Sequence, residues 1–253
     1  MKKIEPAGLG VKLMPEYKYK RILAIGDIHG KHAAFMHLWS KVDFHCGEDC
    51  VIFLGDYIDR GHQSAAVMAW VLDRLGQEDV VFLRGNHEQM CLDACCTKSD
   101  YDPEEAAAES LWMDNGGDRT VSSLNDFGNP RLMQQWLSAV KGMPLFVEIE
   151  QDGQTYIFCH AGITPRIPMD KQDKETLLWE RSFVASKYAG PAKVVVGHTP
   201  VQFAREQGCD DESRPLLLNG GHIIMVDTGS YLSNGFISCV DVLNDQVWQS
   251  NRF

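Results

Sequence analysis

The amino-acid sequence predicts an α/β fold in which two packed, mixed β-sheets are flanked by helices. From residue 21 to about residue 95, short apolar runs alternate with segments whose apolar residues recur at helical spacing. From residue 145 onward the apolar runs are short and strand-like, which gives a β-rich second half. The segment between them, residues 97–142, has a helical pattern and predicts a helical insertion.

The composition is typical of one globular domain. The chain has 253 residues, of which 44% are hydrophobic and 23% are charged, enough to bury a sizeable core. No repeat, low-complexity segment or linker divides it. We therefore expect a single domain over residues 1–253, with residues 1–18 as an uninformative arm or an added edge strand.

The net charge and the N-terminal segment limit which binding partners and which cellular location we expect. A formal net charge of -11 argues against nucleic acid and anionic membranes as partners. The lysines at the start are not followed by the apolar segment of a signal peptide, and no run approaches the ~18 apolar residues of a membrane span. We therefore expect a cytoplasmic protein whose eight cysteines are reduced.

Three predicted strands in the first half each end in a polar motif that contains glycine. The motifs are GDIHG after residues 21–25, GDYIDRG after residues 51–54 and RGNHE after residues 80–83. Successive strand–helix units pair their strands in parallel through right-handed crossovers, so all three motifs should emerge at one edge of the sheet. Two acidic residues and an arginine between the glycines of GDYIDRG suit a site for cations and phosphate.

The remaining elements follow from local patterns. Residues 102–105 combine a cap, a first-turn proline and capping acids, and Asn129-Pro130 starts a second helix. Asn115-Gly116-Gly117 predicts a flexible break between them, either a substrate lid or a plain loop. A hairpin is expected around Asp152-Gly153. Further strands are expected at residues 193–196, 223–226, 236–240 and 246–249.

Six candidate metal ligands come from the polar residues at these strand ends, which are Asp27, His29, Asp56, Asn86, His87, His160 and His198. Carboxylates mixed with imidazoles and an amide suit Mn²⁺, Fe²⁺ or Zn²⁺. The set is too large for one tetrahedral ion and suits two ions that share a carboxylate, a device for phosphoester hydrolysis. Alone, each residue could be a cap or a satisfied core residue. We interpret the other five histidines as structural or solvated. Asp227-Thr228-Gly229 follows a strand and either lines the site or forms a turn, and we favour the turn.

Five motifs in order resemble one known family. GDIHG, GDYIDRG, RGNHE, FCHAG and VVGHTP, between about residues 21 and 240, are similar to the calcineurin-like metallophosphoesterases of the phosphoprotein phosphatase type. That group includes bacterial and phage serine/threonine phosphatases and symmetrical diadenosine tetraphosphate hydrolases. The resemblance implies a β-sandwich with helices on both faces and a centre of two divalent ions, with Mn²⁺ expected and Fe or Zn as alternatives.

The resemblance also implies a role for each ligand. The first ion would be held by Asp27, His29 and Asp56, and the second by Asp56, Asn86, His160 and His198. Asp56 would therefore bridge the two ions. A water between them would lose a proton near neutral pH and attack phosphorus directly.

Five further residues would act on the substrate by the same resemblance. His87, supported by Asp59, would be the general acid, since a carboxylate orients an imidazole and keeps a proton available for the leaving alkoxide. Arg60 and Arg84 would bind phosphate oxygens through charge-assisted hydrogen bonds. Arg181 matches the family's later phosphate-binding arginine more loosely, and could instead be an ordinary surface arginine.

Three functions remain open at this point. The first is hydrolysis of phosphomonoesters, foremost phosphoserine or phosphothreonine in proteins. It is favoured by Asp59 and Glu88, because the symmetrical dinucleotide hydrolases of the family usually carry other residues at both positions. The second is that dinucleotide hydrolase activity, and the third is a metal-binding regulatory protein without catalysis. The expected partner is a phosphorylated protein or a small phosphoester.

Overall fold

Two β-sheets form the frame of the computed structural model, which describes residues 3–7, 9–14, 18–95, 103–204 and 213–252. In chain order the strands are β1 (Lys3–Ala7), β2 (Gly10–Met14), β3 (Arg21–Ile25), β4 (Asp49–Phe53), β5 (Val80–Phe82), β6 (Phe146–Gln151), β7 (Gln154–Cys159), β8 (Lys193–Val196), β9 (Leu216–Leu218), β10 (Ile223–Met225), β11 (Ser238–Asp241) and β12 (Gln246–Gln249). One sheet has seven strands in the order β1-β2-β6-β7-β8-β10-β9, and the other has five in the order β12-β11-β3-β4-β5. Both sheets contain parallel and antiparallel pairs, so the predicted pair of mixed sheets is confirmed.

Helices cover the outer faces of both sheets. They are α1 (His32–Val42), α2 (Ser64–Arg74), α3 (Asn86–Cys95), α4 (Pro103–Trp112), α5 (Asp118–Phe127), α6 (Leu132–Gly142), α7 (Lys174–Trp179) and α8 (Val201–Ala204). A π-helical segment, Met113–Gly117, joins α4 to α5, and three short 3₁₀ helices lie in the second half. Within the described part of the chain, the helices are all too short or too polar to span a membrane.

The parallel pairing that directs the motifs to one edge is present. β3, β4 and β5 lie side by side in parallel, with Leu23 opposite Val51 and Val51 opposite Val80. α1 and α2 make the two crossovers between them. The GDIHG, GDYIDRG and RGNHE motifs therefore leave the five-stranded sheet at the same edge, as predicted.

Alternating side chains of the strands divide the core into layers. On β3, Ile22 and Ala24 face the seven-stranded sheet, where they join Val147 and Phe158 in the layer between the sheets. Their neighbours Leu23 and Ile25 face the opposite way, toward the helices and the insertion. A third apolar cluster covers the outer face of the seven-stranded sheet beneath α7. This period-two alternation is what a strand buried on both faces requires.

Two local predictions can be compared with the structure. The predicted break at residues 115–117 is present as a kink between α4 and α5, where Gly116 has a non-helical φ of 99°. The first two strands, which add to the edge of the seven-stranded sheet, realise the edge-strand alternative for the N-terminal segment. Asp102, the expected cap of α4, lies outside the described residues. Cys91 and Cys95 are free thiols one turn apart on α3.

Candidate active site

Backbone hydrogen bonds hold the first two motifs together. The N–H groups of Ile28 and His29 both donate to the carbonyl of Asp56, at 3.0 and 2.9 Å, and Gly30 N–H donates to the carbonyl of Tyr57 at 2.8 Å. The end of β3 and the end of β4 are thus joined beyond the sheet ladder. This pairing places the side chains of His29 and Asp56 in one cluster.

Glu88 fixes the third motif against the second. Its buried carboxylate accepts hydrogen bonds from the N–H groups of Asp56, Tyr57 and Gly85, at 2.8, 2.9 and 3.0 Å. Burial, and then the charge of Asp56, raise the pKa of Glu88 to about 7. At Gly85 a Cβ atom would lie 2.2 Å from Asp56 Oδ1, so this approach requires glycine. The Glu and the Gly of RGNHE therefore set the position of Asp56.

The first group of candidate ligands surrounds one oxygen of Asp56. His29 Nε2 lies 3.7 Å from Asp56 Oδ2 and 3.9 Å from Asp27 Oδ2. The other ring nitrogen, His29 Nδ1, is 3.1 Å from the carbonyl of Ile58, an anchor that leaves Nε2 directed at the carboxylates. His87 Nε2 lies 3.9 Å from the same Asp56 oxygen, so His87 also belongs to this cluster.

The second group surrounds the other oxygen of Asp56. His160 Nε2 lies 3.3 Å from Asp56 Oδ1 and 2.9 Å from Asn86 Oδ1, and His198 Nδ1 lies 3.1 Å from the same amide oxygen. His160 Nδ1 is anchored 2.8 Å from the carbonyl of Leu54, the same arrangement as at His29. Nε2 of His198 is buried without a hydrogen-bond partner. Asp56 therefore stands between two sets of donors.

The chemistry of these donors fits two divalent cations. Burial and the charges of Asp227 and Asp56 raise the pKa of Asp27 well above its ordinary value, so a cation bound among these crowded carboxylates would be favourable. Burial opposes ionisation of Asp56, but the imidazoles of His160 and His87 outweigh it and hold its pKa well below the usual range. Burial, and then His160, lower the pKa of His198 to about 2, so its ring is neutral and free to ligate.

A second constellation adjoins the ligands. His87 Nδ1 lies 2.7 Å from Asp59 Oδ2, and Arg60 Nη2 lies 3.3 Å from His87 Nε2. The guanidinium of Arg60 also stacks over the ring of Tyr231, with its Cζ 4.1 Å from the ring centroid. One ring nitrogen of His87 is thereby bound to a carboxylate, while the other faces an arginine and the ligand cluster.

The other two predicted arginines differ in position. Arg181 Nη1 donates to the carbonyl of His198 at 3.1 Å, which places this guanidinium beside the second group of ligands. Arg84 instead donates to Gln89 at 2.9 Å and to the carbonyl of Lys141 at 3.0 Å. Its terminal nitrogens thus bind α3 and the end of α6, and its role as a phosphate ligand stays a prediction.

Several residues at the site were not predicted from the sequence. Asp227, interpreted as part of a turn, is buried beside Asp27, and its Oδ2 has no hydrogen-bond partner. The apolar run before it is the same signal that marks the other ligands and could have identified it. Trp112 and Thr120, from the insertion, both donate to Asp59, and no motif marks them or Tyr231.

The backbone of the site is strained. Five of its residues have positive φ without being glycine: His29, Asp56, Asp59, Arg60 and His198, with φ between 47° and 70°. Such conformations cost free energy and persist only where the surroundings enforce them, which is typical of functional sites. At His29 and Asp56 the enforcing contacts are the backbone and Glu88 hydrogen bonds described above.

Several known proteins are similar to this chain in sequence or in fold. The protein phosphatase named serine/threonine-protein phosphatase 1, from Salmonella typhimurium, is 27% identical over 203 residues, which cover 75% of this chain and 87% of that protein. A symmetrical bis(5'-nucleosyl)-tetraphosphatase from Chromobacterium violaceum is 29% identical over 150 residues, covering 59% of this chain and 46% of that protein. A crystal structure described as a candidate diadenosine tetraphosphatase shares the fold, with a TM-score of 0.64 at 20% identity over 95% of this chain and 96% of that one.

The family is shown by a match over most of the chain. The family model described as calcineurin-like phosphoesterase matches residues 20–227, the span that contains all five motifs and every candidate ligand. The fold and the order of the motifs agree with that match. The chain therefore belongs to the calcineurin-like phosphoesterases.

Proposed function

We propose that this protein hydrolyses phosphomonoesters with two divalent metal ions, and that its substrates are phosphoserine and phosphothreonine in proteins. Asp27, His29 and Asp56 would hold one ion, and Asp56, Asn86, His160 and His198 the other, with Mn²⁺ as the proposed metal. When bound, such a pair supplies an activated water and neutralises charge on the phosphate. Support comes from the shared position of Asp56 between the two donor groups.

Arg60 and Arg181 would bind the phosphate oxygens. Arg60 reaches the site from the GDYIDRG loop and is held by Tyr231, while Arg181 is held by the carbonyl of His198. A guanidinium has five N–H groups, so each arginine keeps donors for a phosphate beyond the contacts it makes here. The two guanidiniums would offset part of the negative charge of the buried carboxylates that a phosphate meets here.

His87 would protonate the leaving oxygen. Its Nδ1 is bound to Asp59, so Nε2 is the nitrogen that faces the substrate. As the bond from phosphorus to the leaving oxygen breaks, its electron pair stays on that oxygen and takes the proton from Nε2. The carboxylate of Asp59 balances the imidazolium charge before transfer. This hydrogen-bonded pair is the observation that carries the proposal.

Two residues favour a protein phosphatase over a dinucleotide hydrolase. Asp59 is bonded to His87 at 2.7 Å, and Glu88 accepts three close backbone hydrogen bonds that position Asp56. Both therefore have defined tasks in this chain, at positions where the resemblance gives the dinucleotide hydrolases other residues.

The test is a direct comparison of two substrates. We would measure kcat/KM for a phosphothreonine peptide and for diadenosine tetraphosphate, using metal-stripped protein reloaded with Mn²⁺. We expect a preference of about tenfold or more for the peptide, equivalent to ~1.4 kcal/mol in the transition state. Efficient hydrolysis of the dinucleotide to two diphosphates, with a weak rate on the peptide, would assign the protein to the tetraphosphatases instead.

The same assay distinguishes both hydrolases from a metal-binding regulatory protein without catalysis. A metal-binding regulatory protein would take up the ions but show no rate above background on either substrate, with Mn²⁺, Fe²⁺ or Zn²⁺. His87→Asn protein, reloaded in the same way, provides the background for a folded site without the proton donor.

A further inference from the structure

The helical insertion reaches the pair formed by Asp59 and His87. Trp112, the last residue of α4, donates through Nε1 to both oxygens of Asp59, at 3.1 and 3.0 Å. Thr120, in the first turns of α5, donates through Oγ1 to Asp59 Oδ1 at 2.7 Å. Asp59 is fully buried, so these donors replace the water that an exposed carboxylate would have.

Thr120 holds both the main chain and the side chain of Asp59. Its hydroxyl accepts from Asp59 N–H at 2.9 Å while it donates to the carboxylate. Ser64 accepts from the same N–H at 3.1 Å and lies 3.1 Å from the Thr120 hydroxyl. One hydroxyl thus fixes the backbone and the rotamer of Asp59, whose φ of 70° requires enforcement.

Packing within the insertion aims the indole of Trp112. The ring is buried and lies against Gly117 of the π-helical segment, where a Cβ atom would come within 2.8 Å of it. The same segment contacts the neighbouring loop residue, because Arg60 N–H donates to the carbonyl of Gly116 at 3.3 Å. The π-helical geometry therefore brings the insertion against Asp59 and Arg60 together.

We propose that Trp112 and Thr120 are positioning residues for the proton donor, and that the insertion exists in part to supply them. This inference rests on the proposed function, in which His87 protonates the leaving oxygen. With both donors in place, Asp59 can hold the His87 ring in one orientation, with Nε2 toward the substrate. Without one of them, the buried carboxylate loses a hydrogen bond and turns, and the ring loses its alignment.

The dependence of rate on the leaving group reveals such a role. Nitrophenolate is a stable anion that departs without a proton, whereas phenolate and alkoxides need one. Loss of alignment should therefore slow phenyl phosphate and a phosphothreonine peptide far more than 4-nitrophenyl phosphate. A role in stability alone would slow all three substrates by the same factor.

The test compares Trp112→Phe with wild type on 4-nitrophenyl phosphate and phenyl phosphate. Phenylalanine keeps most of the apolar shape and removes the N–H donor. We expect kcat to fall about 10- to 100-fold on phenyl phosphate, part of the ~10²–10⁴-fold worth of a positioned acid, and by less than about threefold on 4-nitrophenyl phosphate. Thr120→Val should behave alike, while Thr120→Ser, which keeps the hydroxyl, should stay near wild type.

Trp136→Phe is the matched control. Trp136 is fully buried in α6 of the same insertion, and its Nε1 has no hydrogen-bond partner. This change removes the same atoms from the same insertion without removing a hydrogen bond. The ratio of the two rates should therefore equal that of wild type.

His87→Asn in the same assay distinguishes a failure of the proposed function from a failure of the positioning role. If His87→Asn slows both substrates equally, the proton-donor role of the proposed function is wrong. If His87→Asn discriminates between the substrates but Trp112→Phe and Thr120→Val slow both by one factor, the positioning role is wrong and the two residues only stabilise the fold. Should Trp112→Phe fail to fold, the comparison of Thr120→Val with Thr120→Ser decides the question.

Discussion

Two regions of the molecule meet at this site and differ in how they build it. The strand-end cluster, Asp27, His29, Asp56, Asn86, His160 and His198, consists of residues that follow strands or begin the helix after one. The insertion, residues 97–142, contributes from helical segments that carry no motif. The cluster is fixed by backbone geometry and Glu88, whereas the insertion acts through two side-chain donors on Asp59.

This difference suggests a division of labour. A metal site needs several donors held together in a rigid frame, which the converging strand ends provide. A proton donor needs only one ring held in one orientation, which two hydrogen bonds to its carboxylate partner can supply. We infer that substitutions in the strand-end cluster change metal binding first, and that those in the insertion change the handling of the proton and phosphate.

The largest effect is expected from Asp56→Asn. The amide keeps the size of the side chain but removes the charge that both donor groups share, so both ions should bind more weakly. Metal catalysis supplies several kcal/mol, and kcat should therefore fall about 10³-fold or more and stay low in excess Mn²⁺. Steady-state kinetics on 4-nitrophenyl phosphate provide the measurement. Asp43→Asn, at a carboxylate that is 82% exposed, is the control, and an equal loss there would contradict the assignment.

His87→Asn should have the next largest effect. The change removes the proposed proton donor but leaves the charges of Asp27 and Asp56 in place. We expect kcat on a phosphothreonine peptide to fall ~10²–10⁴-fold, with little change in the Mn²⁺ concentration that gives half-maximal rate. His45→Asn, at an exposed histidine, should match wild type. A large shift in the Mn²⁺ requirement would mean that His87 is chiefly a ligand.

A smaller effect is expected where the insertion touches Arg60. At Gly116 a Cβ atom would lie 2.7 Å from Arg60 N, whereas at Gly128 nothing lies within 4 Å, and both glycines have positive φ. Gly116→Ala should therefore displace Arg60 and raise KM for the peptide about tenfold, the worth of one weakened charge-assisted contact. Gly128→Ala imposes similar backbone strain and should leave KM unchanged. Equal effects would show that the close approach to Arg60 has no role.

The smallest effect on catalysis is expected at the N-terminal end of β3, which lies opposite the end that carries the GDIHG motif. Arg21 forms a two-pronged ion pair with Asp49 and donates to the carbonyl of Val42 at 2.9 Å, without contact to the strand-end cluster. In Arg21→Lys the ammonium group cannot make both hydrogen bonds to the carboxylate. The free energy of unfolding should therefore fall by about 1–2 kcal/mol at pH 7, with kcat unchanged. Arg119→Lys, at an exposed pair, should cost less than about 0.5 kcal/mol.

The fall in the free energy of unfolding caused by Arg21→Lys should depend on pH, because Arg21 is paired with the carboxylate of Asp49. Burial opposes its ionisation, but hydrogen bonds from Arg21 and the backbone of His45 outweigh it and lower its pKa. A lowered pKa in the folded state gives stability that is present above the unfolded value of about 3.9 and lost as pH falls through the folded value. The difference between Arg21→Lys and wild type in urea unfolding should therefore shrink below about pH 4. A constant difference down to pH 3 would contradict this account.

The strand-end cluster could be predicted from the sequence because two signals mark each of its strands. The apolar run Val51–Leu54 marks a buried strand, and the polar motif after it falls where parallel strands place ligands. β3, β8 and β12 have the predicted bounds, since apolar runs limited by polar residues leave little choice of register. The contacts of Arg84 with Gln89 and Lys141 could not be predicted, because a motif shows which residues are present and not where a long side chain turns.

The contacts of the insertion could not be predicted. Trp112 and Thr120 lie on helices, where the spacing of apolar residues indicates only which face is buried. A side chain that donates to a carboxylate distant in sequence adds nothing to that spacing. Asn115-Gly116-Gly117 shows the same limit. Its composition predicted the break, which is present as a kink at Gly116, but not the close approach of Gly116 to Arg60 and of Gly117 to Trp112. Those contacts join residues that are distant in sequence.

The division between the strand-end cluster and the proton donor is tested most directly by counting bound metal. We would load wild type, Asp56→Asn and His87→Asn with Mn²⁺, remove free metal by gel filtration and measure ions per chain by mass spectrometry of the metal. The account predicts two ions in wild type and in His87→Asn, and loss of both in Asp56→Asn. Equal loss of metal in the two variants would contradict it.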